Sequence, residues 1–99
     1  MFENCLLQYA SFYRLKIKQT RFINCNAIET DFTEADATEA VFDNTNLALA
    51  IFEQTNLQKA DFKTAMNYQI NPSNNIIKQA KFCWPELKGL LSELQIEIE

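Results

Sequence analysis

The sequence predicts a solenoid, a chain wound into stacked coils of fixed length. An apolar side chain stands at every fifth position over two thirds of the chain, without a break. This series is Phe2, Leu7, Phe12, Ile17, Phe22, Ala27, Phe32, Ala37, Phe42, Leu47, Phe52, Leu57 and Phe62. A second series, mostly of small residues, has the same spacing and is Cys5, Ala10, Leu15, Thr20, Cys25, Thr30, Ala35, Ala40, Thr45, Ala50, Thr55, Ala60 and Ala65. An α-helix repeats its buried face at about 3.6 residues and a strand at about 2, so a period of five fits neither, and both series are expected to point inward.

Several segments carry a family resemblance. They are Thr30–Phe32, Thr45–Leu47, Thr55–Leu57 and Ala60–Phe62. These segments resemble the A(D/N)(L/F)xx motif of pentapeptide-repeat proteins, and the resemblance runs from Phe2 to about Ala65. It implies the fold of that family, an all-β, right-handed quadrilateral β-helix in which four pentapeptides make one square coil of twenty residues. Leu15–Ile17 and Cys25–Ala27 match the motif poorly.

Arranging the sequence in coils of twenty residues sorts the central side chains into four faces. One face stacks Phe2, Phe22, Phe42, Phe62 and Phe82, the opposite face stacks Phe12, Phe32 and Phe52, and the faces between hold Leu7, Ala27 and Leu47, and Ile17, Ala37 and Leu57. Aromatic faces thus alternate with aliphatic ones, which can fill a narrow interior without voids. The motif returns at Ala80–Phe82, so residues 67–75, rich in Asn, Pro and Ser, are predicted to form a loop within a repeat domain of residues 1–83.

Residues 84–99 follow a different pattern and are predicted to form a short C-terminal unit. Pro85 suits the first position of a helix, and an apolar stripe follows at helical spacing. The stripe is Leu87, Leu90, Leu91 and Leu94. Ile96 and Ile98 then alternate with glutamates, as in a brief strand. The helix is expected to cap the exposed last coil, or to form a dimer, because the resemblance includes quinolone-resistance proteins that pair through a C-terminal helical segment.

Composition narrows the class of protein. At 99 residues the chain is expected to be one domain, and it carries neither a signal peptide nor an apolar run long enough to span a membrane, so a cytoplasmic location is expected.

The first coil starts in register at Phe2 with nothing capping it, which leaves three alternatives: a fragment of a longer stack, an end covered by another chain, or a frayed first coil. An odd count of three cysteines argues against a disulfide scaffold. Cys5 and Cys25 share one inward column and could be bridged under oxidation, but small residues are what this column accepts.

The sequence offers no catalytic, cofactor or metal site. It contains no histidine and one glycine, which removes the commonest general base and any phosphate-binding glycine loop. Carboxylates do form an acidic surface, namely Glu29, Asp31, Glu34, Asp36 and Glu39. In a solenoid these residues follow the outside of one coil and do not converge, so a solvated surface is expected.

Charge raises one hypothesis about function. Residues 1–21 carry four basic groups and one acidic group, or +3, whereas residues 22–65 carry two basic and eight acidic groups, or −6. The resemblance implies that such an acidic rod could imitate duplex DNA and bind DNA gyrase, driven by electrostatic attraction. Stacking at twenty residues weakens the idea, because opposite charges coincide and would pair locally. The expected pairs are Arg14 over Glu34, Lys16 over Asp36, Glu39 over Lys59 and Asp43 over Lys63.

Outward apolar residues support a second hypothesis. Five of them would share one corner of the square, which we term the apolar corner: Tyr9, Ile28, Ala48, Leu49 and Ile51. A contiguous exposed patch indicates a contact surface, although Glu29 and Asp31 interrupt this one. The sequence therefore favours a non-enzymatic protein-interaction module, with a protein partner that can be a second copy joined through an end, this corner or the C-terminal helix. A gyrase-binding DNA mimic is the alternative, and direct binding to nucleic acid or membrane is not expected.

Overall fold

The computed structural model describes residues 1–83 and shows a β-helix. Its strands are β1 Phe2–Glu3, β2 Arg21–Ile23, β3 Val41–Asp43, β4 Asp61–Phe62 and β5 Lys81–Phe82. They form one parallel sheet in sequence order. Residues twenty apart pair throughout it, as Phe2 does with Phe22, Val41 with Asp61 and Phe62 with Phe82. No helix occurs in this part of the chain. The coil of twenty residues and the continued register at Phe82 are therefore confirmed.

Isolated parallel bridges form the other three sides of each coil. They join Leu6, Asn26, Asn46 and Met66 on one side, Ser11, Asp31 and Ile51 on the next, and Lys16, Asp36, Asn56 and Ile76 on the last. Together with the sheet these bridges make four ladders, five residues apart along the chain. The cross-section is consequently four-sided, and each pentapeptide supplies one side.

The corners between sides are tight turns. In one of them the Ala50 N–H donates to the Leu47 carbonyl at 3.0 Å, and Leu49 has a φ of 59° in the left-handed region. The Asn46 Oδ1 accepts the Ala48 N–H at 3.1 Å, which fixes the start of the turn. This bond explains why the motif prefers Asp or Asn before the central apolar residue, since their side chains cap turns. The left-handed position recurs at every fifth residue up to Lys59 and is never a glycine.

Phenylalanine rings fill the interior. Phe22 and Phe42 stack with ring centroids 4.9 Å apart, and Phe32 meets Phe42 edge-on at 5.7 Å from the opposite side. All three side chains are fully buried. Parallel stacking along the axis and edge contacts across it are both favourable ring geometries, so the two predicted aromatic faces form one packed column.

Leu15, a member of the second five-residue series, is half exposed. Its column is occupied by Ala35 and Thr55 in the next two coils, and both are buried. Leucine is larger than either of these residues, and the first coil has a neighbouring coil on one side only.

Residues 67–75 leave the regular path. Met66 and Ile76 still pair with the coil before them, but the segment between them forms no bridge. Tyr68 and Ile70 turn inward and are almost completely buried, filling the space that the central residues of two pentapeptides would otherwise fill. The predicted C-terminal helix, with its stripe of Leu87, Leu90, Leu91 and Leu94, lies outside the described residues.

Candidate interaction surface

The coil geometry brings the apolar corner together. The Tyr9 N–H donates to the Ile28 carbonyl at 3.2 Å, and the Glu29 N–H donates to the Ala48 carbonyl at 2.9 Å. Tyr9, Glu29 and Leu49 therefore occupy the same turn position in three successive coils. Tyr9 and Leu49 are 75% and 70% exposed, while Ile28 and Ala48 are half-buried beside them. Two large apolar side chains thus project from one corner with a carboxylate between them.

Ile51 extends this surface around the corner. It is 44% exposed and pairs with Asp31 of the preceding coil. As the sequence indicates, Glu29 and Asp31 interrupt the patch, so the corner combines apolar and acidic groups.

A groove borders the apolar corner, and the sequence reasoning did not identify it. It encloses about 300 Å³ between the third coil and the 67–75 loop. Its walls are Leu49, Ala50, Ile51, Phe52, Glu53, Gln69, Ile70, Asn71 and Asn74. The sequence signal for an irregularity here is the loss of the five-residue period after Ala65. A segment that leaves the ladder leaves space beside the coil that it would otherwise cover.

The acidic surface divides into free and paired carboxylates. Glu29 and Glu39 are exposed. Glu34 is bound by the Arg14 Nε at 3.0 Å, as the register predicts, and Asp36 is 3.7 Å from the Lys18 Nζ. The structure thus does not present the five carboxylates as one continuous anionic stripe.

Two of these carboxylates also cap turns. The Asp31 Oδ1 accepts the Thr33 N–H at 2.8 Å, and the Asp36 Oδ1 accepts both the N–H and the hydroxyl of Thr38, at 3.2 and 2.7 Å. These residues are half-buried. Their first role is therefore structural, and they present less charge to a partner than their number suggests.

The pairings are reflected in two carboxyl pKa values. A hydrogen bond from Arg14, with a smaller contribution from Tyr13, lowers the pKa of Glu34. Partial burial acts to raise the pKa of Asp36, but hydrogen bonds from Thr38 and the charge of Lys18 outweigh it and lower the pKa. Both groups are held in the charged form by the fold.

The remaining predicted charge pairs differ in detail. Lys16 lies in register with Asp36, yet the ion pair is made by Lys18, whose side chain reaches the carboxylate. Lys63 lies 3.9 Å from Asp61 of its own coil, while Asp43 accepts the Thr64 hydroxyl.

No ion pair joins Glu39 to Lys59, or Asp43 to Lys63, among the described residues. Nor does any group of three potential metal ligands occur in residues 1–83. No helix in that range has the length and apolarity to cross a bilayer. Cys5 and Cys25 are free thiols there, half-buried and buried respectively, and Cys83 is exposed.

An eight-copy family model of pentapeptide repeats matches residues 17–54 and 30–65. The chain belongs to the pentapeptide-repeat family. In this pentapeptide-repeat protein the matched residues make up the most regular coils. No curated protein sequence matches the chain.

Solved structures resemble this pentapeptide-repeat protein at low identity. A pentapeptide repeat protein from the thylakoid lumen of Arabidopsis thaliana is 20% identical with a TM-score of 0.46, covering 80% of this chain and 57% of its own. Rfr23 from the cyanobacterium Cyanothece 51142 is 21% identical with a TM-score of 0.39, covering 81% and 58%. QnrB1, a plasmid-mediated fluoroquinolone resistance protein, is 12% identical with a TM-score of 0.36, covering 96% and 68%. The chain therefore spans less than two thirds of the length of the first two of these proteins.

Proposed function

We propose that this pentapeptide-repeat protein is a non-enzymatic interaction module that binds a protein through the apolar corner. The observation that carries the proposal is the exposure of Tyr9 and Leu49 at one turn position, two coils apart, with Ile51 beside them. Single exposed apolar side chains are ordinary on soluble proteins, whereas several grouped at one corner, here around Glu29, indicate a contact surface. Removing these side chains from water would drive the association.

A second copy of the chain is the first candidate partner. An interface about a two-fold axis uses the same surface on both copies, so Tyr9 of one copy can pack against Leu49 of the other. The leucine stripe predicted within residues 84–99 would be able to extend such a dimer.

The test is the molar mass in solution, measured by size-exclusion chromatography with light scattering over a range of concentrations and at low and high salt. We expect a concentration-dependent dimer that resists salt, since apolar contacts are not screened. The double variant Leu49→Asp with Ile51→Lys should be monomeric. The control, Gln19→Asp with Asn24→Lys, changes exposed turn residues by the same charges and should still form the dimer. A parent chain that stays monomeric, or a double variant that assembles like the parent, contradicts self-association through this corner.

The DNA-mimic function is the second candidate, and the net charge of −6 over residues 22–65 supports it. The ion pairs of Glu34 and Asp36 reduce the field that a basic groove would meet. Inhibition or protection of DNA gyrase in a supercoiling assay would support this function if the effect weakens with salt and is lost in Glu29→Lys with Glu39→Lys. No effect on gyrase at any salt concentration would exclude it.

A further inference from the structure

The groove beside the apolar corner contains an unfilled place in one backbone ladder. Ile51 should pair with residue 71 of the next coil, but no such bridge is present within the described residues. The Phe52 N–H and the Ala50 carbonyl, which would bond to that residue, have no hydrogen-bond partner within residues 1–83, and neither has the Leu49 N–H. Each of these groups lies on a residue that lines the groove.

The preceding coil shows what normally fills this place. Ile51 donates its N–H to the Thr30 carbonyl at 2.9 Å, and its carbonyl accepts the Phe32 N–H at 2.8 Å. One residue of an extended chain thus makes both bonds, in the pattern of a parallel ladder. The Ala50 carbonyl and the Phe52 N–H are the equivalent acceptor and donor one coil pair further on.

The sequence of the loop explains why residue 71 does not occupy the place. The Asn71 carbonyl already accepts the Asn74 N–H at 3.1 Å and the Asn75 Nδ2 at 2.9 Å. Pro72 follows, and a proline restricts the backbone of the residue before it. The loop therefore closes on itself, and Asn71 stays out of the ladder beside Ile51.

We propose that this groove binds an extended segment of a partner protein, which adds one rung to the ladder and carries an apolar residue flanked by basic residues. The unpaired N–H and carbonyl define the backbone conformation of that segment, as in other cases of strand addition to an exposed edge. The side chain of the paired residue stacks beside Ile51, which is apolar and partly exposed.

The negative charge around the groove indicates which residues flank the apolar residue of the bound segment. Among the described residues that form the groove walls, Glu53 is the one with an ionisable side chain. Glu29 and Asp31 lie one coil away from Leu49 and Ile51, so they add negative charge on the adjoining corner. No basic side chain of residues 1–83 lines the groove. A segment with lysine or arginine on either side of its apolar residue is therefore complementary to this surface.

This inference deepens the proposed function and rests on it, since Leu49 and Ile51 belong to both surfaces. The two can fail separately. The light-scattering experiment addresses burial of the apolar corner between two copies, whereas the groove is tested by a peptide that binds to backbone groups of a single copy.

The probe is an acetylated and amidated pentapeptide of alternating lysine and isoleucine, titrated into the ¹⁵N-labelled 99-residue chain. We expect saturable shifts of the amide resonances of residues 49–53, and slower hydrogen exchange at the Phe52 amide. The same peptide N-methylated at both isoleucines keeps its charge and side chains but cannot donate to the Ala50 carbonyl, so it should bind more weakly. A peptide with glutamate in place of lysine should not bind.

A matched pair of variants separates the groove from general attraction to an acidic protein. Glu53→Lys should weaken binding of the basic peptide about fivefold, the upper range for an exposed ion pair. Glu39→Lys alters an exposed carboxylate at another corner and should leave the affinity unchanged. The proposal is overturned if the basic peptide leaves the amides of residues 49–53 unmoved, if the N-methylated peptide binds equally well, or if Glu39→Lys weakens binding as much as Glu53→Lys.

Discussion

At the scale of single residues, the inward threonines have a function that their size alone does not explain. The Thr30, Thr45 and Thr55 hydroxyls each donate to the carbonyl of the central residue of the preceding coil. All three are fully buried. Cys25 occupies an equivalent position and directs its thiol to the Phe2 carbonyl at 3.3 Å. The inward positions thus accept alanine, and threonine or cysteine there adds a hydrogen bond to a carbonyl of the preceding coil.

Replacing Thr45 by valine tests this hydrogen bond at nearly constant volume. The hydroxyl lies 3.2 Å from the Phe22 carbonyl and 3.1 Å from the Asp43 carbonyl, so Thr45→Val removes a buried donor and should lower the free energy of unfolding by about 1 to 2 kcal/mol. Thr33→Val is the control, because its hydroxyl is half-buried and makes no hydrogen bond within the described residues, and it should change stability by less than about 0.5 kcal/mol. Urea unfolding followed by circular dichroism measures both, and equal losses would show that the bond contributes nothing specific.

At the scale of elements, Asn75 provides two of the hydrogen bonds that hold the 67–75 loop against the third coil, beside the Gln54 N–H, which donates to the Asn74 carbonyl at 2.6 Å. The Asn75 Oδ1 accepts the Thr55 N–H at 2.9 Å, and its Nδ2 donates to the Phe52 and Asn71 carbonyls, both at 2.9 Å. Asn75 thus performs the carbonyl-binding role of an inward threonine and also replaces a missing backbone acceptor. The loop stays close to the coil although its backbone has left the ladder.

Asn75→Ala should loosen the C-terminal part of the loop without disturbing the coils below it. Loss of three hydrogen bonds at a half-buried site is expected to cost about 1 to 3 kcal/mol of unfolding free energy. Hydrogen exchange should accelerate most at the Thr55 amide. Asn74→Ala is a suitable control, since Asn74 contributes its backbone groups, which alanine retains, and its side chain is exposed. If both variants exchange alike at Thr55, the Asn75 side chain does not hold the loop.

The five-residue period predicts the regular elements well and the exceptions poorly. It places the aromatic column and returns to register at Phe82, because every rung obeys the same backbone bonds. It does not predict the groove, because a segment without a period gives no indication of which face it leaves open. It also predicts an ion pair between Asp36 and Lys16, whereas the pair forms with Lys18. The reach of the side chain, and not the backbone register, decides this surface contact.

At the scale of the whole molecule, charge is distributed unevenly along the stack and is partly neutralised between coils. The first coil is basic and the second is acidic, and Arg14 and Lys18 of the first bind Glu34 and Asp36 of the second. Each exposed pair contributes little on its own. Their common arrangement nevertheless links the basic coil to its acidic neighbour, which makes the stability of this contact dependent on pH.

Acid should weaken that contact in a defined window. The pKa values of Glu34 and Asp36 lie below their ordinary values of 4.5 and 3.8, so both groups bind protons more weakly in the folded chain than in the unfolded one. Their stabilisation is therefore complete above about pH 5 and is lost as the pH falls through the lowered pKa values.

Glu34→Gln with Asp36→Asn, which retains the Oδ1 acceptor for Thr38, should reduce the decrease in urea midpoint between about pH 7 and about pH 2.5. The control, Glu29→Gln with Glu39→Gln, removes two carboxylates that form no ion pair in residues 1–83. Its urea midpoint should decrease with acid almost as much as that of the parent. Equal acid sensitivity in the two double variants would mean that the ion pairs between the first and second coils do not govern the acid response.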